Sequence, residues 1–265
     1  MTATARLGHY AARLPLAELT VTERFPPTPE LARQWADRTP AGFRFDLRAW
    51  SLFTGAPTMP DSLFEDLRDE VRPETRDKRR LYAAHLSAQA IDECWERFRH
   101  ALQPLVDAAR LGAVLFTYPS WFTPKDETRA ALSELRDRMG DIALGVQFRS
   151  PKWVEPSVCE DTLALLEDEG LTYVSVDRSA EGRPVVAATA DLAVIRFVGR
   201  REDPEDPGWP WPYRYSDDEL AAFVPRVTEL AGSSPEVHLL FSNTWRDDAV
   251  ANALRMAELL EDARV

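Results

Sequence analysis

Ala113-Val-Leu-Phe-Thr-Tyr118 carries no charge and is apolar at nearly every position. Apolar residues at successive rather than alternate positions suit a strand of a parallel sheet covered on both faces. The pattern returns at Ile142-Ala-Leu-Gly-Val-Gln-Phe148, Thr172-Tyr-Val-Ser-Val176, Leu192-Ala-Val-Ile-Arg-Phe197 and Val237-His-Leu-Leu-Phe241. Phe43-Arg-Phe-Asp-Leu-Arg48 alternates with period two, and Glu18-Leu-Thr-Val-Thr22 is a weaker candidate.

Amphipathic helices separate these runs. Ile91–Ala109 is the clearest, with Ile91, Trp95, Phe98, Leu102, Leu105 and Val106 at helical spacing. Pro29–Ala36, Thr128–Met139, Cys159–Glu169, Asp217–Leu230 and Asp248–Leu260 follow the same logic. Ser216-Asp-Asp-Glu219 has the form of a capping box. Strands alternating with helices predict an α/β fold, a TIM (β/α)8-type barrel. The 265 residues suit a single barrel domain over 1–265. Seven strands are countable, and Met1–Leu7 could hold a strand but not a strand plus a helix. The barrel is therefore expected to be atypical or incomplete at its first strand. Two excursions interrupt the alternation: a polar, proline-punctuated insertion over about 51–90, and a Pro- and Trp-rich loop over about 198–215 that includes Trp209 and Trp211.

Composition excludes several classes of function. The net charge of -12 speaks against nucleic acid or an acidic membrane surface as partner, since both need a positive face. Cys94 and Cys159 lack a CxxC partner, which predicts reduced thiols and a cytoplasmic location. No apolar run approaches the roughly 20 residues of a membrane span, and Met1–Leu7 lacks the apolar core of a signal peptide. His9, His85, His100 and His238 have no metal-ligand spacing, and no GxGxxG, P-loop or GxSxG occurs. The expectation is no metal and no cofactor.

Barrels place function at the C-terminal ends of their strands. The polar residues there are Glu18, Arg48, Thr117, Tyr118, Gln147, Arg149, Asp177, Arg196, Ser242 and Asn243. Arginines offer planar, permanent charge to phosphate or carboxylate. Gln147 and Asn243 suit hydroxyls or a base edge. The ligand-binding set is read as Arg48, Gln147, Arg149, Arg196, Asn243, Tyr118 and Trp153, with Glu18 as the candidate catalytic base. The competing reading is a structural charge network plugging one end of the barrel.

Five segments, in order, resemble one known family. They are Thr39-Pro-Ala-Gly-Phe-Arg-Phe45, Val114-Leu-Phe-Thr-Tyr-Pro-Ser-Trp-Phe122, Leu144-Gly-Val-Gln-Phe-Arg-Ser-Pro-Lys-Trp153, Val194-Ile-Arg-Phe-Val-Gly-Arg200, and Leu240-Phe-Ser-Asn-Thr-Trp-Arg-Asp-Asp-Ala-Val-Ala-Asn-Ala253. Together they are similar to the YecE-like proteins, a domain family of unknown function numbered 72. The resemblance runs from about His9 to the C-terminus and implies a TIM-barrel fold. It implies that Glu18, Arg149, Arg196, Asn243 and Asn252 keep the family's polar residues. The family's Gly-Thr-Ser-Gly-Trp opening strand has no counterpart. Its usual Lys, Gln, Glu, His and first Asn are replaced by Arg48, Thr117, Gln147, Val198 and Ser242.

These residues predict a pocket for a small-molecule ligand, anionic or polyhydroxylated. One alternative is a catalytically degenerate binding or regulatory protein, suggested by Gln147 and Val198. Another is a nucleic-acid-processing protein, against which the charge speaks. The sequence leaves the oligomeric state open.

Overall fold

Two compact units, Met1–Glu155 and Pro156–Val265, hold the alternating strands and helices in a computed structural model. It describes residues 3–177, 184–200, 212–243 and 245–263. In the first unit β1 (Leu16–Leu19), β2 (Arg44–Arg48), β3 (Leu111–Tyr118) and β4 (Leu144–Phe148) pair in chain order, every pair parallel. Helices α1 (Ala3–Ala11), α2 (Pro29–Asp37), α3 (Ala88–Asp107) and α4 (Asp126–Met139) accompany them. In the second unit β5 (Thr172–Asp177), β6 (Leu192–Phe197) and β7 (Glu236–Phe241) are likewise parallel, with α5 (Cys159–Asp168), α6 (Asp217–Ala221), α7 (Val224–Ser233) and α8 (Asp248–Asp262). Seven parallel strands alternating with helices make the fold a TIM-type α/β fold, with seven strands among the described residues where eight is the rule.

The expected incompleteness at the first strand is met: no strand precedes β1 among the described residues, and α1 occupies Ala3–Ala11. Two expectations are corrected. The Glu18–Thr22 run is half strand. β1 ends at Leu19 and Thr20–Glu23 coils into a 3-10 turn, because the Thr22 hydroxyl lies 2.8 Å from Leu19 O and 2.7 Å from Arg48 O. The expected helix Asp217–Leu230 is two helices. Pro225 has no N–H to give an ongoing helix and sits at the start of α7, the position where its fixed φ is tolerated.

The β2–β3 ladder is irregular. Phe45 faces Leu111, but Leu47 faces Val114, so β3 carries one residue more than β2 over that step. Asp46 Oδ1 accepts the Ala113 N–H at 2.9 Å, in the interior of the unit, and satisfies a donor at the irregular step.

Residues 51–87 form a series of short 3-10 turns with two isolated antiparallel bridges, Thr58–Leu81 and Val71–Leu86. Side-chain packing holds this excursion. Trp50, Leu52, Leu63, Leu81 and Leu86 are buried, and Phe53 stacks on Trp95 of α3 at 3.6 Å. Of the Pro- and Trp-rich loop, residues 201–211, which include Trp209 and Trp211, lie outside the described residues. Among the described residues no helix is long and apolar enough to cross a membrane.

In the second unit one face of β6 (Ala193, Ile195, Phe197) packs on Tyr215, Leu220, Phe223, Val227, Leu230 and Met256. Phe197 also stacks on Phe241 at 4.5 Å. Asn252 of α8 clips the entry to α6 onto this core. Its Oδ1 accepts the Tyr215 N–H at 3.0 Å and its Nδ2 donates to Tyr215 O at 2.8 Å. Asn252→Ala leaves the Tyr215 N–H and carbonyl without these partners and removes one of the two acceptors of the Asn243 amide. The expected cost is about 3 kcal/mol, read as a melting temperature lower by roughly 6–12 °C by circular dichroism. An unchanged melting temperature would show the clip to be dispensable.

Candidate functional site

Parallel pairing brings the C-terminal ends of β1–β4 to one edge of the first unit, and the register sorts their side chains. Glu18 lies opposite Asp46, and Arg48, two residues on, shares the face of Asp46. Arg48 is opposite Leu115, and Leu115 is opposite Gly145. Two residues further along that face, Thr117 is opposite Gln147. Glu18, Arg48, Thr117 and Gln147 therefore form a polar row on one face near the strand ends. Arg149 follows Gln147 by two and is exposed. Its N–H still donates to Tyr118 O at 3.0 Å, so the ladder extends to it.

Arg48 is clamped by two carboxylates. Its Nε donates to Glu18 Oε1 and its Nη1 to Glu23 Oε2, both at 3.0 Å. Glu23 reaches it because the Thr20–Glu23 turn is tied to the end of β2 through Thr22. Burial alone would lower the Arg48 pKa, but the two carboxylates outweigh it and raise the guanidinium above its ordinary value. Among the described residues Arg48 Nη2 takes part in no hydrogen bond.

Thr117 and Gln147 differ in kind. They are 8% and 4% exposed, and among the described residues Thr117 Oγ1 and Gln147 Oε1 are buried with no hydrogen-bond partner. Adjacent parallel strands lie about 4.8 Å apart, so the two groups are neighbours. A free buried polar atom costs about 1–3 kcal/mol. Here two occur side by side.

Tyr118 and Trp153 stand apart from this row. Tyr118 follows Thr117 by one and so points to the opposite face, where it stacks on Phe122 at 3.9 Å. Trp153 stacks on Phe148 at 4.4 Å and donates its indole N–H to Phe122 O at 2.7 Å. Both are buried in this aromatic stack, and burial pushes the Tyr118 phenol pKa up. Strand-end position named Tyr118, and the alternation of β3 turns it to the other face; Trp153 lies past β4, in the 3-10 turn Pro151–Val154.

Arg196 and Asn243 belong to the second unit. Arg196 is buried on β6, opposite Val176 and Leu240. Asn243 donates from Nδ2 to Tyr213 O at 3.0 Å and to Asn252 Oδ1 at 2.9 Å. A charge network missing from the candidate set also lies here. Arg200 donates to Asp177 Oδ2 at 3.0 Å and Glu219 Oε1 at 3.1 Å, and the Tyr213 hydroxyl donates to Glu219. The signals for it were Asp177 at a strand end and Glu219 in the capping box. Neither discloses that Arg200 joins them across some twenty residues of chain. Burial raises the Tyr213 phenol, and Glu219 beside it raises it further. Burial also pushes the Glu219 carboxyl up. Hydrogen bonds from Tyr213 and Ser216, with Arg200 nearby, outweigh that and hold it below its ordinary value.

Among the described residues no group of three or more His, Cys, Asp or Glu is placed to hold a metal ion.

A family model described as "Protein of unknown function DUF72" matches residues 1–265. UPF0759 protein YunF of Bacillus subtilis (strain 168) is 27% identical over 273 residues, spanning 97% of this chain and 86% of that protein. A solved DUF72 family protein from Enterococcus faecalis V583 superposes with a TM-score of 0.78 at 24% identity, over 98% of this chain and 95% of that one. One from Thermotoga maritima MSB8 gives 0.75 at 24% identity, over 98% and 91%. These structural likenesses speak to the fold.

The depressed Glu219 carboxyl makes a testable contribution to stability. A lowered folded pKa contributes stability above the ordinary value of 4.5 and loses it as pH falls through the folded value. Glu219→Gln is expected to be less stable than wild type by about 1 kcal/mol at neutral pH, a figure tempered by solvent screening. The gap should close towards about pH 3. Urea midpoints across this range measure it, and a gap that persisted at low pH would contradict the assignment.

Proposed function

The chain belongs to the DUF72 family of proteins of unknown function, and from that premise we propose that it binds a small polyhydroxylated or anionic metabolite at the C-terminal edge of β1–β4. The observation that carries this reading is the pair Thr117 Oγ1 and Gln147 Oε1, adjacent, buried and without partners among the described residues. A core selected for packing alone would hold Val and Leu at these positions and gain stability. A ligand hydroxyl both donates and accepts, and can satisfy the two groups together. Arg48 Nη2 and the exposed Arg149 supply further donors at the same edge.

The same geometry favours binding without turnover as the second reading. Glu18 is the candidate base of the row, and its Oε1 is already engaged by Arg48 Nε. A carboxylate committed to a guanidinium has fewer lone pairs for a substrate proton. Gln147, where the resemblance implies a Glu, gives the row an amide in place of a second titratable group.

The double variant Thr117→Val, Gln147→Leu separates a binding site from a structural accident. It is expected to melt higher than wild type by about 2–4 °C, because it removes unsatisfied polar atoms. It should also lose the thermal stabilisation that a panel of sugars, polyols and their phosphates gives the wild type. A panel that stabilises neither protein, or both alike, would refute the reading.

A further inference from the structure

Arg48 already holds two carboxylates, and that bears on what the polar row can accept. Resting on the binding reading above, we propose that Glu23 sets the charge class of the ligand, so that the site takes a neutral polyhydroxylated molecule and turns away phosphate. Arg48 carries one positive charge, and Glu18 and Glu23, each 3.0 Å from it, carry two negative ones. Glu23 occupies Arg48 Nη1, a donor that an anion would otherwise take. An anion must displace Glu23 or accept its repulsion.

Displacement is difficult for two reasons. Glu23 is part of the same chain and is held in place by the Thr22 link to Arg48 O, so its effective concentration at Arg48 far exceeds that of a free metabolite. The ion pair is also partly withdrawn from water, with side-chain exposures of 20% for Arg48 and 28% for Glu23, which strengthens it against an outside competitor. A neutral hydroxyl meets neither obstacle. It can accept from Arg48 Nη2 and donate to Gln147 Oε1 while leaving the triad intact. Glu23 lies outside the strands, on a turn, and acts through Arg48: it is a specificity-determining residue, with no role in chemistry.

Isothermal titration of wild type, Glu23→Gln and Glu23→Ala with inorganic phosphate at fixed ionic strength tests this directly. Wild type should show no binding. Both variants should gain it, at least about tenfold tighter than any wild-type signal. Adding Arg48→Met to Glu23→Ala should abolish it. Wild type that binds phosphate as well as the variants do, or a folded Glu23→Ala that does not bind it, would overturn the proposal. A melting curve of each variant confirms folding. Because Glu23→Gln keeps the size of the side chain, it reports on the charge alone. A separate arm titrates wild type with glycerol, ribose, glucose and inositol. No response to any of them, with phosphate gained by the variants, would reject the binding reading and leave the role of Glu23 at Arg48 standing.

Discussion

A single buried carboxylate frames the first unit. Asp46 Oδ1 accepts the Ala113 N–H where β3 carries an extra residue. Side chains in a strand alternate, so a one-residue slip would send every following residue to the other face. With the irregularity satisfied in this place, Arg48 comes opposite Leu115, and Thr117 falls on the same face two residues later. Had β3 paired regularly, Thr117 would face the aromatic stack and Tyr118 the polar row. The geometry of the candidate site thus depends on the hydrogen bond from the Ala113 N–H to Asp46.

Much of the fold was legible because a parallel sheet leaves a plain trace. Strands covered on both faces must be apolar at successive positions, and that pattern located β3 to β7 to within about two residues, while period-two alternation located β2. The misses have local causes. Thr22 prefers two backbone carbonyls to a place in the ladder, and nothing in Glu18-Leu-Thr-Val-Thr22 signals where those carbonyls lie. Pro225 was visible and decides the break between α6 and α7, yet the helical periodicity of the flanking residues masks it. At the N-terminus the count of seven strands already pointed to an incomplete start, and the helix α1 there was the part that the count did not show.

The site was legible in position and less so in partnership. Glu18, Arg48 and Gln147 could be placed from strand ends alone. Glu23 could not, since it joins Arg48 only after a turn that the sequence does not announce. The face on which Tyr118 lies follows from strand parity, which the register supplies and a single sequence does not, and Trp153 packs from a turn past β4. Arg200, Asp177 and Glu219 meet across a chain separation at which no spacing rule operates. Pairing between distant charges is a property of the folded state, and this is where reading residues one segment at a time stops.

The unpartnered Thr117 and Gln147 also have a meaning in terms of mutation and drift. One base change turns a threonine codon into isoleucine or alanine, and one turns a glutamine codon into leucine. Apolar side chains that would relieve each buried polar atom are therefore within the shortest reach of random mutation. A lineage kept only for folding would be expected to take those steps, because proteins sit close to their stability threshold and gain from such changes. Polar side chains at both positions in relatives of this chain are what the binding reading expects in the face of that drift.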